Sequence, residues 1–446
     1  MNKSLTPTQT SEREIFMDVL RGFAILGIFI ANLNGFSWYS ENLKNDSPFL
    51  VSGLDHQMGF IHHLFIEGKF YSIFSLLFGW GIALQFKRAS EKGIDALPTV
   101  KRRLVFMLIL GALHLLIWSG DIVFLYAMLG FILIRLRNLS NKTMLITGTI
   151  LILSPIVLYA AKSHWLWLNA PAGVLEQVGS TLHHKLTNQG TSLEDVSIFL
   201  KETNWWGVFK TNLSGFFYRY GYLFFVSRIP KVLGVFLIGY VIGRSDFYKN
   251  IKQHKKIVNT VIVFGLFIGL PANYFLADYM SNYMGDYWSL APKGLYQTIA
   301  YAFGVVPLAL LYVAVFMLIC QSATGKKILS IFAPVGKMAF SNYILQTLIG
   351  SFVFLGAGLG YIHEVGPVYY TIFGVLVFII QLVLSRIWLN YFNYGPIEWL
   401  WRSATYKKWP QITIKSFFVF HKVFVSSCFQ QPAFFHYDDT VCLTNG

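Results

Sequence analysis

Charge is scarce in this chain. Only 13% of its 446 residues are Asp, Glu, Lys or Arg, against roughly 25% in a soluble globular domain. Apolar residues fill the gap: 55% are hydrophobic and 17% aromatic, with a mean hydropathy of +0.52. A water-soluble fold could not cover that much apolar surface, so lipid is the expected solvent for most of the chain. Cysteine is nearly absent. Cys320, Cys428 and Cys442 form neither a Cys-x-x-Cys nor a Cys/His cluster, which argues against a structural zinc site and against a disulfide framework. No metal site is expected. The polar stretch Met1 to Arg13 has no small-residue cleavage site, so the first apolar run is read as a retained anchor.

Acidic side chains are also short, 21 against 36 basic ones, for a formal net charge of +15. In a soluble protein this would suggest nucleic acid. Here the excess Lys and Arg sit in short loops between apolar runs, where they set topology instead. The bilayer is the expected partner and nucleic acid is not.

A span needs about 20 apolar residues. Ten stretches qualify, near 15–36, 69–86, 103–119, 121–137, 143–161, 229–245, 256–276, 297–320, 331–354 and 367–390. The predicted fold is therefore all-α, a polytopic transmembrane helical bundle of about ten spans (9–12). Every even-numbered loop is basic, for example Lys87, Arg88, Lys101, Arg102 and Arg103 in the second and Lys326 and Lys327 in the eighth. That alternation predicts both ends in the cytoplasm. Residues 1–14 are then a cytoplasmic N-terminus, 15–410 the membrane domain and 411–446 a poorly ordered tail. Residues 162–228 are read as a long outer loop or interfacial segment. Its aromatic stretch Trp205–Phe225, broken by Lys210 and Arg219, suits a helix lying in the interface, or else one of two extra spans.

Ionisable groups inside spans are costly and mark candidate function. On the first helix, Asp18 and Arg21 share a face, and Arg21 and Asn32 lie within about 20° of one stripe. Arg21 could grip a phosphate or carboxylate, or simply pair with Asp18 at the membrane boundary. His114 lies towards the outer end of the third span and can exchange a proton near neutral pH. Asp121 follows at the hairpin and reads as an orienting partner or as a helix cap. The first outer loop carries Asp55, His56, His62, His63, Glu67 and Lys69; adjacent His62 and His63 must face different ways. Asn342 and Gln346, four apart, either glue helices or line a path. Glu398 and Arg402 are placed as an i, i+4 ion pair on a short interfacial helix after Gly395-Pro396.

Several segments together resemble the YeiB-like bacterial membrane proteins (domain of unknown function 418). They are Asp18-Val-Leu-Arg-Gly-Phe-Ala-Ile-Leu-Gly-Ile, Gly68-Lys-Phe-Tyr-Ser-Ile-Phe-Ser-Leu-Leu-Phe-Gly-Trp-Gly, Leu113-His114 with Gly120-Asp121-Ile, Gly336-Lys-Met-Ala-Phe-Ser-Asn-Tyr and Gly395-Pro-Ile-Glu-Trp-Leu-Trp-Arg. The resemblance runs from about 13 to 410, leaves out the tail, and implies a multi-pass protein of the bacterial plasma membrane. The Arg-Gly pattern of the first helix is similar to that of the heparan-glucosaminide N-acetyltransferase group and of the bacterial polysaccharide O-acyltransferases. That similarity implies acyl transfer from cytoplasmic acyl-coenzyme A, as co-substrate rather than bound cofactor, to an envelope glycan or small acceptor. On it, Asn32 matches an Asn near the outer end of the first helix, and His56, His62 and His63 compete for a loop histidine.

The expected enzyme uses His114 or His63 as base, Asn32 at the oxyanion and Asp121 beside the base. Asp18, Arg21, Lys69, Asn342, Gln346, Glu398 and Arg402 would hold donor or substrate. A transporter for a small solute would need the same buried polar groups, and a non-catalytic membrane scaffold is the third reading.

Overall fold

The computed structural model describes residues 15–40, 47–245, 247–248, 250–407, 409–410 and 412. The 1–14 segment and all of the 411–446 tail but Ile412 lie outside these. Among the described residues the secondary structure is helical. Helices α1 (Ile15–Ser37), α2 (Ser52–Phe65), α3 (Lys69–Glu91), α4 (Leu97–Leu115), α5 (Val123–Leu136) and α6 (Asn141–His164) form the first third. Then come α7 (Ala170–Thr187), α8 (Leu193–Glu202), α9 (Trp205–Phe225), α10 (Arg228–Arg244), α11 (Lys255–Phe264), α12 (Leu270–Asn282) and the short α13 (Met284–Trp288). The rest holds α14 (Leu295–Ile319), α15 (Ala323–Leu329), α16 (Ala333–Lys337), α17 (Ala339–Phe354), α18 (Pro367–Tyr391) and α19 (Pro396–Tyr406).

Among the described residues, five helical stretches are long and apolar enough to cross a bilayer: α1, α6, Lys255–Asn282, Pro292–Ile319 and α18. Two bent pairs raise this to seven, α9 with α10 (73°) and Ala323–Lys337 with α17 (72°). The chain is thus a membrane-embedded helical bundle; among the described residues five to seven candidate spans stand against the ten predicted, and the ten stretches overlap helices, with 116–119 lying beyond the end of α4. In α1, 67% of the most apolar stretch is buried, against 28% in α6 and α18. So α1 is central and the other two are peripheral. Their outward apolar side chains mark the lipid face: Val157 of α6 is 70% exposed, and Phe267, between α11 and α12, 72%.

Residues 162–228, read as loop or interfacial segment, carry three helices. Their starts are legible. Ser192 and Asp195 form a reciprocal capping box on α8, and Asn204 Oδ1 accepts from the Gly207 N–H at 3.1 Å to start α9. The chain then breaks at Ser227, whose φ of 49° is left-handed, and restarts as α10. Helix α10 packs closely on α3 because both present glycine. A Cβ on Gly79 would collide with the Phe236 carbonyl, and one on Gly239 with the Leu76 carbonyl. Small residues let helix backbones approach where no hydrophobic driving force separates lipid from protein.

Candidate functional site

The crossing of α1 with α16 is as tight. A Cβ on Gly22 would strike the Phe332 carbonyl, and one on Gly336 the Asp18 carbonyl. This brings Lys337 and the start of α17 against the charged first turns of α1. Beside that crossing lies a cavity of about 310 Å³, lined from α1, α3, α4, α5, α16, α17 and α19. One end is cationic: Arg21, Arg88, Arg103, Lys337 and Arg402 line it. Its carboxylates, Asp18 and Glu398, are engaged. Arg21 Nη1 donates to Asp18 Oδ1 at 2.9 Å. Glu398 Oε1 accepts from the N–H groups of Phe340 (2.7 Å) and Ser341 (3.1 Å), and Oε2 from Ser341 Oγ at 2.5 Å.

Glu398 therefore caps the N-terminus of α17, where a carboxylate meets both free N–H groups and the positive end of the helix dipole. The sequence placed it with Arg402 along one helix; its oxygens are instead spent on α17, and the Arg402 guanidinium stacks 4.6 Å from the Tyr394 ring centre. Arg103 stacks 4.7 Å from the Trp401 ring, and its buried Nε has no hydrogen-bond partner among the described residues. The mouth thus gathers five cations, and Arg103 has a donor left to offer.

Deeper in, the walls turn apolar (Ile25, Ile28, Phe74, Leu77, Phe78, Met107), and the inner end is closed by Ile122, Val123, Tyr126 and Tyr343. Immediately behind this wall sits a sealed hydrogen-bonded chain. His114 Nδ1 lies 2.7 Å from Asp121 Oδ1, and His114 Nε2 3.0 Å from Thr347 Oγ1. All three residues are buried. The His114 ring stands 5.0 Å from that of Tyr343, so one aromatic side chain touches both cavity and histidine. Asp121 Oδ2 also accepts from the Phe124 N–H at 2.8 Å, so this carboxylate is both cap and orienting partner. An ionised carboxylate only accepts, so Asp121 selects the Nδ1–H tautomer and leaves Nε2 with a lone pair.

The remaining candidates lie elsewhere. His63 Nδ1 pairs with Glu67 Oε2 at 2.6 Å, and the buried Lys69 Nζ donates to the His63 carbonyl at 2.5 Å. Burial opposes ionisation of Glu67, but the His63 hydrogen bond and the charges of His63, Lys69 and Arg228 overcome it and hold the carboxyl at about 2. His62 faces the other way, to Tyr370 Oη (3.2 Å) and Thr371 Oγ1 (2.8 Å) on α18. Burial, aided by His63, lowers its pKa to about 4. Asn342 Nδ2 donates to Ser385 Oγ (3.0 Å), Gln346 Nε2 to Gln381 Oε1 (2.8 Å), and Gln381 Nε2 back to the Asn342 carbonyl (3.1 Å). These amides tie α17 to α18 outside the cavity lining. Asn32 is half-buried farther along α1, also outside it.

Sequence reasoning did not single out Thr347, Tyr343, Arg88, Arg103 or Lys337 as site residues. Arg88 and Arg103 read as loop charges because they flank apolar runs. Thr347 follows Gln346 by one residue, a spacing that turns it to a different helix face from the amides.

The model of the family described as "Protein of unknown function (DUF418)" matches residues 242–408. The chain is 32% identical over 431 residues to "Uncharacterized protein YxaH" of Bacillus subtilis (strain 168), a match covering 93% of this chain and 99% of that protein. "Uncharacterized protein YeiB" of Escherichia coli (strain K12) is 28% identical over 408 residues, covering 88% of this chain and 96% of YeiB. No solved structure matches. With a relative this similar over nearly its whole length, the chain belongs to the DUF418 family.

Proposed function

We propose that this protein is a membrane acyltransferase that draws an acyl group from a cytoplasmic phosphate-bearing donor, with acyl-coenzyme A as the donor chemistry, and passes it to an envelope glycan or small hydroxylated or amino acceptor. The observation that carries the reading is the cavity itself. It runs from five cations to an aromatic wall directly in front of a His114–Asp121 pair. Arg21, Arg88, Arg103, Lys337 and Arg402 hold the donor's phosphates, as guanidinium and ammonium groups do. The apolar shaft takes the acyl arm. The topology that goes with this is ten spans in the bacterial plasma membrane with the cavity mouth on the cytoplasmic side, supported by the alternating basic loops.

In the transfer step, the acceptor oxygen or nitrogen bonds to the thioester carbon. Its proton goes to His114 Nε2, directly or through the Thr347 hydroxyl, and Asp121 steadies the imidazolium. The C–S bond then breaks and the thiol leaves with a proton. Tyr343, at the inner wall, suits the developing oxyanion better than Asn32 does, because it lies beside the histidine. His63, paired with Glu67, is assigned no step. Purified protein incubated with radiolabelled acetyl-coenzyme A and envelope extract tests the reading: label should move to an acceptor with wild-type protein and not with His114→Ala.

A transporter is the second reading. The two helix pairs bent by 73° and 72° favour it, since broken helices are a recurrent feature of transporter binding sites. Proteoliposomes that move a labelled anion across the bilayer without acylating anything would decide for transport.

A further inference from the structure

The elbow between α9 and α10 gathers cations that the acyl-transfer step does not use. Arg219 and Arg228 flank one ring, their guanidinium carbons 5.8 Å and 5.3 Å from the centre of Tyr222. Lys231, one turn into α10 and 6% exposed, sits 4.0 Å above the Tyr301 ring. The Tyr301 hydroxyl is 3.0 Å from that of Tyr71, whose ring carries Arg228 at 5.1 Å. The three cations are thus wired to one tyrosine cluster.

None of the three has a carboxylate partner within salt-bridge distance among the described residues. The nearby acids are committed: Glu67 to His63, and Asp121 to His114. Arg228 donates to the Tyr222 hydroxyl at 3.1 Å and Arg219 to the Gly120 carbonyl at 3.4 Å, but the buried Nε atoms of both have no partner. Lys231 makes no hydrogen bond among the described residues. The first turn of α10 starts here too, after Ser227, with no side-chain cap. Unpaired charge held away from water is expensive, and the start of a helix is the positive end of its dipole. A broken helix whose N-terminus and basic side chains converge is a recurrent way of seating an anion in a membrane protein.

We infer that the α9–α10 elbow, built on Arg219, Arg228 and Lys231, is a binding site for a phosphate-bearing anion, distinct from the cavity, whose lining includes none of the three. The phosphate can belong to a lipid headgroup or to a soluble phosphorylated molecule. The site stands on its own geometry. Only the further step of identifying its ligand with the acyl acceptor rests on the proposed function: Arg219 contacts Gly120, the neighbour of Asp121, so an anion held here lies beside the base.

The test is thermal unfolding of the full chain in nanodiscs, which needs no catalytic turnover. In phosphatidylcholine nanodiscs, inorganic pyrophosphate is titrated in. In a parallel arm, phosphatidylglycerol replaces a third of the lipid. Wild-type protein should gain several degrees of Tm in at least one arm: pyrophosphate response identifies a soluble phosphate, phosphatidylglycerol response a lipid headgroup. Lys231→Met and Arg228→Gln should lose most of that gain. Without anion, Lys231→Met should melt at or above the wild-type temperature, because a buried unpaired charge has gone. Arg228→Lys, which keeps the charge, should retain most of the gain. An Arg88→Gln, Arg103→Gln variant removes any contribution of the cavity mouth and should leave the elbow-dependent part intact. The inference is overturned if wild-type protein gains nothing in either arm, if Lys231→Met and Arg228→Gln respond as wild type does, or if Lys231→Met melts lower by the same amount with and without anion. Because no acyl donor is present, these outcomes are independent of whether label transfer occurs.

Discussion

His114 Nδ1 lies 2.7 Å from Asp121 Oδ1, with both side chains sealed from solvent. Asp121→Asn keeps an oxygen to cap α5 but removes the charged acceptor that fixes the histidine tautomer. Acyl transfer should fall by about 10²–10⁴-fold, while the melting temperature drops by an amount equivalent to about 1.5–3 kcal/mol for the lost charge-assisted hydrogen bond. Label transfer and thermal unfolding on the same preparation check both numbers. A variant with full activity would remove Asp121 from the mechanism.

The α1–α16 crossing predicts a contrast between glycines. Gly336→Ala forces a methyl into the Asp18 carbonyl and should cost about 1–3 kcal/mol through overpacking. Gly81→Ala, whose nearest neighbour would be an Arg21 nitrogen at 3.8 Å, should stay within about 0.5 kcal/mol of wild type. Melting curves of the two variants side by side give the comparison; equal stability would mean that the close crossing is not tight in solution.

Glu398→Ala leaves the Phe340 and Ser341 N–H groups without their acceptor. It should destabilise α17 by about 0.5–2 kcal/mol, the usual range for a lost N-cap. Glu398→Gln, which can still accept a hydrogen bond, should recover part of this. Hydrogen exchange in the first turn of α17 reports it locally: faster exchange is expected in Glu398→Ala and an intermediate rate in Glu398→Gln. Unchanged exchange in both would contradict the cap.

Much of this architecture is legible in the sequence because lipid imposes a simple rule. The ten apolar runs all overlap helices, five to seven of them long and apolar enough to cross a bilayer among the described residues, and the capping box at Ser192 is visible as Ser-x-x-Asp. The charged first turn of α1 and the Leu113-His114 and Gly120-Asp121 pairs stood out because ionisable groups are rare in this chain. What stayed hidden depends on tertiary contact. Glu398 and Arg402 have the spacing of an ion pair, yet Glu398 is drawn to the start of α17, where two N–H groups and a hydroxyl hold its oxygens. Arg88 and Arg103 serve topology in the sequence and line a cavity in the fold; no periodicity separates those roles. The three helices in 162–228 are partly polar on one side, so hydropathy alone does not delimit them.

Acid should destabilise the region around α2. His62 is held at about 4 against 6.5 in the unfolded chain, so between those values the unfolded state binds more protons. Stability from this group is complete above about pH 6.5 and is lost as pH falls towards 4, with a slope of up to about 1.4 kcal/mol per pH unit. Glu67, at about 2 against 4.5, has the same sign, and its contribution is lost below 4.5. His62→Gln should flatten the pH dependence of Tm between 6.5 and 4 and leave the lower limb unchanged. An unaltered slope in the variant would show that His62 is not buried neutral.

The most direct measurement of the central claim is acyl transfer by full-length protein in nanodiscs, supplied with radiolabelled acetyl-coenzyme A and envelope extract, for wild type, His114→Ala and an Arg21→Gln, Arg103→Gln double variant. The account predicts labelled acceptor with wild type, at least about a 100-fold loss with His114→Ala, and a raised KM for the donor in the double variant. Absence of labelled acceptor with wild-type protein, or transfer that survives the loss of His114 undiminished, would contradict it.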